Sequence, residues 1–475
     1  MKDINKIIIV LFLLSSLTNC DNSDKIDSEL EVQNFIWKGL NAYYFWQEDI
    51  PDLQDNRFSN QNELNNFVNS QTPNDLFESL LFERGTTDKW SWIVNDYIAL
   101  EQRFAGVQKS NGMQFGLVEF YTDSPEIFGY VRYISPNSEA ANLGVQRGDI
   151  IYGINGTQLT RNNYQNLLSN DTYSVNFGNY SISGSTVTVT PNNTSITLNK
   201  EVLNINPVHT VTMHEVDGHK IGYILYNQFV SNYDEALNAA FLQLKNDGVT
   251  DLVLDLRYNG GGSVQTAVNL ASMITGQYNN ELFAKETWNS KWQSYLEDEY
   301  PSNLINNFTN KLRNGDAINS LNLGEVTIIV TGSSASASEL VINGLNPYID
   351  VNLVGTTTHG KYVGSVTLYD SDNFTRDDSS LNPNHHYAMQ PIVLEIVNKL
   401  GQNEKNGFTP ENILSEDFTN LGQIGNPTEP LFELAINQIL AIPRPANKNN
   451  VINHKTVGDS NLGNPYYSNM YVDLK

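Results

Sequence analysis

Between residues 201 and 440, short apolar runs alternate with segments of helical spacing. That alternation restricts this part of the chain to a mixed α/β core. Residues 221–226, 252–256, 326–330 and 351–355 are apolar runs of strand length. Residues 234–244, 264–274 and 337–345 carry apolar side chains at helical intervals between or after them. A further run at 363–369 reads as one continuous strand, and 391–396 as another.

The flanks have a different character. With 475 residues the chain is long enough for about three domains. Residues 21–105 read as a short solvated linker and then a helical domain. Val32, Phe35, Ile36, Leu40, Tyr43 and Tyr44 recur at helical spacing, and 75–82 reads as a second helix with Asn74 as its cap. Trp90, Trp92 and Tyr97 supply aromatic anchors, with no chemistry evident there. Residues 106–200 read as strands, with a turn and short helix at 135–144 and an Asn155-Gly156 turn closing the strand that follows. Residues 441–475 are Asn-rich and polar and read as a peripheral tail.

At the N-terminus, Lys2 and Lys6 precede an apolar run over 7–17, too short to span a bilayer, which needs about 20 residues. The run leads to Leu17-Thr18-Asn19-Cys20, and Cys20 is the only cysteine. Residues 1–20 resemble a bacterial lipoprotein signal, which implies an acylated Cys20, an exported protein and a lipid-tethered membrane partner. A plain secretory signal with an incidental cysteine is the other reading. One cysteine excludes an intramolecular disulfide framework and a Cys-rich zinc site. The formal net charge of −25 repels phosphate backbones, so nucleic acid is not expected as a partner.

The segment most informative about chemistry is Thr331-Gly-Ser-Ser334-Ala-Ser336-Ala-Ser338-Glu339. It follows a buried-type strand and opens a helix. A serine at such a turn can expose its hydroxyl, and the helix start offers free N–H groups and a field that favours negative charge. Alone, serines at a helix start are ordinary caps. Lys361 follows Ser336 by 25 residues, in Thr358-His-Gly360-Lys361. Upstream, Asp255-Leu-Arg-Tyr-Asn259-Gly260-Gly261-Gly262 ends a strand in a glycine turn that can bring backbone amides close to a ligand.

This set resembles the C-terminal processing (tail-specific) serine proteases. That family carries D-L-R-x-N-P-G-G, S-A-S-A-S-E and a T-x-G-K-type turn in this order. The resemblance extends over about 106–415, including Gly407-Phe-Thr-Pro410. The stretch 106–200 also resembles a PDZ domain, through Ala140-Ala-Asn-Leu-Gly144, Gly148-Asp149-Ile150-Ile151 and Ile154-Asn155-Gly156. Such a domain binds peptides by strand addition, with Phe115-Gly116 standing where its carboxylate-binding loop would lie. A small β-domain that packs without binding anything is the alternative.

The resemblance implies Ser336 as nucleophile, Lys361 as base, and an oxyanion hole from the N–H groups of Gly261 and Ala337. It implies hydrolysis of unfolded or C-terminal stretches of polypeptide substrates, with no metal or organic cofactor. Two departures stand out: Gly260 replaces the family's proline, and the family's Gln or Glu after the lysine is replaced by Ser365, or by Thr367 if Tyr362-Val363 is an insertion. A catalytically silent peptide-binding protein is the reading from a different class.

The chemistry requires the lysine to be neutral. A free lysine titrates near about 10.4, and burial without a partner carboxylate brings working lysine bases to roughly 7–8. Gly355-Thr-Thr-Thr-His-Gly360-Lys361 mimics a phosphate-binding loop but is followed by Tyr362, so nucleotide is not expected. The seven histidines form no metal-ligand helix pair.

Overall fold

A computed structural model describes residues 28–184, 186–442, 454–461 and 467–473. The signal segment and Cys20 lie outside the described residues.

The core is a six-stranded sheet. Its order is Val208–Val216, His219–Tyr226, Asp251–Asp255, Glu325–Val330, Asp350–Gly355 and Asn412–Ile413, parallel from His219–Tyr226 onward. Successive side chains along a strand take opposite faces. Leu252, Leu254, Val326 and Ile328 therefore face the helices Asp234–Asp247, Val264–Thr275 and Ala337–Leu345 and the N-terminal helices, in one continuous core. Val253, Ile329 and Val354 face the other way, onto Leu431, Phe432 and Ala435 of the helix Pro430–Ile439. Helices on both faces explain why these strands are apolar throughout.

A second six-stranded sheet runs Gly262–Ser263, Met470–Tyr471, Val363–Ser365, Ile392–Asn398, Leu282–Trp288 and Ile305–Asn307. The run expected as one strand over 363–369 is two. Val363–Ser365 joins this sheet, whereas Leu368–Tyr369 joins a three-stranded sheet with Ala388–Gln390 and Trp92–Val94. The expected helix at 75–82 is Pro73–Ser79, capped by Thr72, whose Oγ1 accepts from Asp75 N at 3.2 Å. Pro73 takes the first helical position, where its missing N–H costs nothing, so the cap must precede it.

Residues 106–200 form a β-domain with its own core around Phe115, Leu117, Val131, Ile151 and Val175. Its sheet runs Thr456–Asp459, Met113–Glu119, Ile127–Ile134, Ile150–Ile154, Thr172–Ser183 and Thr186–Asn199. Two expectations are corrected here. Phe115-Gly116 lies inside the strand Met113–Glu119, not in a loop, with Phe115 aimed into the core. The polar stretch 441–475 is not simply peripheral: Thr456–Asp459 is an added strand of this sheet, and Met470–Tyr471 lies between strands of the second core sheet.

The β-domain is held to the core through Arg147, which donates to Tyr258 Oη (2.7 Å) and Glu416 Oε1 (2.9 Å). Beneath it, Arg257 is fully buried and bound to Asp255 (Nη2 to Oδ2, 2.7 Å) and Glu429 (Nη1 to Oε1, 2.7 Å). Removing one member of such a network strands the opposite charges out of water. Arg257→Ala should therefore lower stability by about 3–5 kcal/mol, read as a fall in the urea midpoint of the core transition.

Candidate active site

The strand Glu325–Val330 delivers the chain to the turn 331–336, and the helix Ala337–Leu345 leaves it. Ser334 ties that turn to its neighbour, donating from Oγ to Leu256 O at 2.8 Å. Ser336 sits at the apex with φ 65° and ψ −115°, a conformation an L-residue adopts at a cost of about 1–3 kcal/mol. Its Oγ is buried and has no hydrogen-bond partner among the described residues. Ser336 is the N-cap of a capping box with Glu339, and a strained serine hydroxyl at a helix N-terminus also stands where it can act as a nucleophile.

Glu339, one turn into the same helix, organises the surroundings. Its Oε2 accepts from the N–H of Ser336 (2.8 Å) and of Lys361 (2.8 Å). Its Oε1 accepts from Thr358 Oγ1 (2.6 Å) and the Gly360 N–H (2.6 Å). Burial pushes its carboxyl up, and these bonds oppose that shift. This first-turn helix carboxylate is thus also the clamp that joins the serine turn to the lysine turn. Gly360, at φ 89°, lets the lysine turn lie against 405–407, where a Cβ would meet Lys405 O at 2.5 Å.

Lys361 is 1% exposed. Burial lowers its amine to about 7, against the opposing charges of Asp88 and Glu339. Trp90 places its ring 5.9 Å from Nζ. Asp88 and Trp90 come from the N-terminal region, where the sequence shows no chemistry. Asp88 is fixed by the hydroxyl of Tyr44 (2.8 Å) and the N–H groups of Trp90 and Ser91 (3.0 and 2.9 Å).

Ser336 and Lys361 line one small cavity with Glu339, Leu340, Tyr362 and Met470. They do not hydrogen-bond each other: Lys361 Nζ donates to Ser468 O at 2.7 Å. Gly261 and Ala337 also converge here. A Cβ on Gly261 would lie 2.7 Å from Ser336 Cβ, 2.9 Å from Ala337 N and 2.5 Å from Asn469 O. The Gly261 N–H is turned to Asn259 Oδ1 at 2.9 Å. Ser365 and Thr367 bond neither Lys361 nor each other; both bond Gln390, at 2.7 and 2.6 Å. Gln390 is buried and has no sequence signal beyond its place in an apolar run. Among the described residues no group of His, Cys, Asp or Glu could hold a metal ion.

The model of the peptidase family S41 domain matches residues 220–375, which contain both Ser336 and Lys361, and the model of the peptidase S41 N-terminal domain matches residues 31–92. Both matched stretches are thus similar to peptidase family S41. Among curated S41-like relatives, the chloroplastic C-terminal processing peptidase of Tetradesmus obliquus is 27% identical over 240 residues, 48% of this chain and 46% of that protein. The carboxyl-terminal-processing protease of Picosynechococcus is 27% identical over 167 residues, 35% of each chain. The matched stretches thus span about half or less of these relatives. The fold recurs in a crystal structure from Bacteroides fragilis described as a putative S41 protease. It has a TM-score of 0.67 and 24% identity, over 90% of this chain and 100% of that one.

Glu339→Gln tests the clamp. An amide has one acceptor oxygen, so its nitrogen must face two of the four donors. The variant should lose about 1–3 kcal/mol per stranded donor. Its unfolding midpoint in urea should fall, and Glu339→Asp, which keeps the charge, should recover part of the loss.

Proposed function

We propose that the protein is a serine endopeptidase in which Ser336 attacks the peptide carbonyl and Lys361 takes its proton. The observation that carries this reading is the pairing, in one cavity, of a strained serine with an unpartnered Oγ and a lysine whose amine burial lowers to about 7. Serine is a weak nucleophile and needs a base within reach. A lysine near 7 is half neutral at neutral pH and can act as that base. The oxyanion formed on attack would be held by the N–H groups of Ala337 and Gly261, once Gly261 is released from Asn259. Each such donor contributes on the order of 3 kcal/mol to the transition state. Ser365 and Thr367 act at one remove, by fixing Gln390. Substrates are unfolded or C-terminal segments of polypeptides, the latter in keeping with the names of the curated relatives. The β-domain supports that choice, because its edge at Gly116–Val118 accepts an added strand.

The same reading places the protein outside the cytoplasm, tethered to a membrane through Cys20. Its support is the apolar run 7–17 and the cysteine that follows. No described helix is long and apolar enough to cross a membrane. Intact-mass measurement of membrane-extracted protein should give a chain starting at Cys20 with added acyl groups. A chain starting elsewhere, without them, would remove the anchor.

Lys361→Arg and Lys361→Ala should both abolish hydrolysis of a casein-like substrate, as Ser336→Ala does, with thermal melts showing folded protein. Arginine keeps the charge but stays protonated, so it cannot serve as base. In wild type, kcat/KM should rise with pH through a midpoint near 7, because only the neutral amine accepts the proton. A folded, active Lys361→Arg enzyme would rule the dyad out.

A further inference from the structure

Two stretches after residue 453 are laid on the molecule as extended peptides, one on the β-domain and one in the catalytic cavity. In the first, Thr456, Gly458 and Asp459 pair antiparallel with Val118, Leu117 and Gly116. Ser460 N donates to Phe115 O at 2.9 Å, and Glu119 N to Lys455 O at 3.0 Å. This is strand addition to a sheet edge, in which backbone bonds give affinity and side-chain pockets give selectivity. The pockets are present. Asp459 pairs with Arg132 (3.1 Å), and the His454 ring lies against Phe128 and Phe418 with Nε2 2.8 Å from Tyr180 Oη.

The second stretch, Tyr467 to Asp473, crosses the reacting groups. A Cβ on Gly260 would lie 2.0 Å from Tyr467 O. Ser468 O takes the Lys361 amine, and Asn469 O is the oxygen that crowds Gly261 beside Ser336 and Ala337. Met470 and Tyr471 then pair parallel with Gly262 and Ser263, and Tyr471 pairs with Ser365. The Asn469 amide donates to Gln390 Oε1 at 2.9 Å, and Met470 is 1% exposed. Where the resembled motif has proline, this chain has Gly260, and any Cβ there would strike Tyr467.

We propose that residues 454–461 and 467–473 are a peptide ligand held in cis: an internal competitive inhibitor laid along the path of an extended polypeptide substrate, from the β-domain edge to Ser336. The proposal rests on the peptidase reading above for the identity of the path. In this state the base and one oxyanion donor are engaged elsewhere, and a peptide carbonyl already fills the space beside the nucleophile. A cleft open in only a fraction of molecules binds substrate more weakly by that fraction.

The test uses the full chain and two substitutions within the cis segment. Met470→Lys places a charge in its buried pocket, and Asp459→Lys sets like charge against Arg132. Each should raise kcat/KM on a casein-like unfolded substrate about tenfold or more, mainly through a lower KM, as for a cleft open in no more than about one molecule in ten. A synthetic peptide of residues 467–475, added to either variant, should restore the higher KM without changing kcat. Binding is read separately from catalysis. The same peptide, labelled with fluorescein, should bind Ser336→Ala/Met470→Lys at least tenfold more tightly than Ser336→Ala. That difference with no hydrolysis by any form would sink the peptidase reading and leave the cis ligand standing. Hydrolysis with unchanged KM, equal peptide binding and no competition would overturn the cis ligand and keep the peptidase. Thermal melts complete the comparison: if both substitutions unfold the protein and the peptide fails to compete with wild type, the segment is a permanent strand and the proposal fails.

Discussion

One carboxylate holds the site together. Glu339 accepts the N–H groups of Ser336, Gly360 and Lys361, and the hydroxyl of Thr358. Its helix and the serine turn are continuous in sequence, but the lysine turn comes from beyond another strand. Nothing else among the described bonds ties the two turns together at so many points. The positive φ of Ser336 persists because both ends of the turn are pinned: Ser334 to Leu256 O and Ser336 N to Glu339. Strain of this kind survives only where surrounding bonds over-determine it.

The lysine depends on the same clamp and on a second domain. Its backbone is fixed by Glu339, while its side chain is enclosed with Trp90 and feels the charge of Asp88. Burial favours the neutral amine; the two carboxylates favour the charged one; burial prevails and leaves the amine near 7. The N-terminal helical region therefore helps set the charge state of this lysine as well as the packing. Its strand Trp92–Val94 is hydrogen-bonded to Ala388–Gln390, which carries the Gln390 that Ser365 and Thr367 both hold.

Much of this was legible in the chain, and the reasons differ by element. The helix 337–345 and the strands before and after it follow from apolar periodicity and end where Ser336 and Gly355 end them. The S-x-x-E spacing of Ser336 and Glu339 is a capping signature, so Glu339 was readable as a helix-start carboxylate, though not as a bridge to residues 358–361. Asp88 and Trp90 were not readable as partners of Lys361, because proximity across 270 residues leaves no local pattern. The stretches 454–461 and 467–473 were hidden for a related reason. An added strand makes its hydrogen bonds to another sheet, so Thr-Val-Gly-Asp needs no periodicity of its own and reads as polar tail. The run 363–369 misled in the opposite way: its apolar continuity conceals a change of sheet between Ser365 and Leu368.

The glycine turn and the lysine are two views of one closed state. At Gly260 and Gly261 the backbone of 467–469 approaches so closely that a side chain would collide with it, and Gly261 holds φ 111°, which favours glycine. At Lys361 the same segment contributes a carbonyl, Ser468 O, to the amine. A segment that left the cleft would take this acceptor with it, while the desolvating walls of Trp90 and the sheet would stay. Release thus opens the cleft and frees the amine from its carbonyl partner in one step. On that reasoning the occupied cleft is blocked twice over, sterically at Ser336 and through the engaged amine at Lys361.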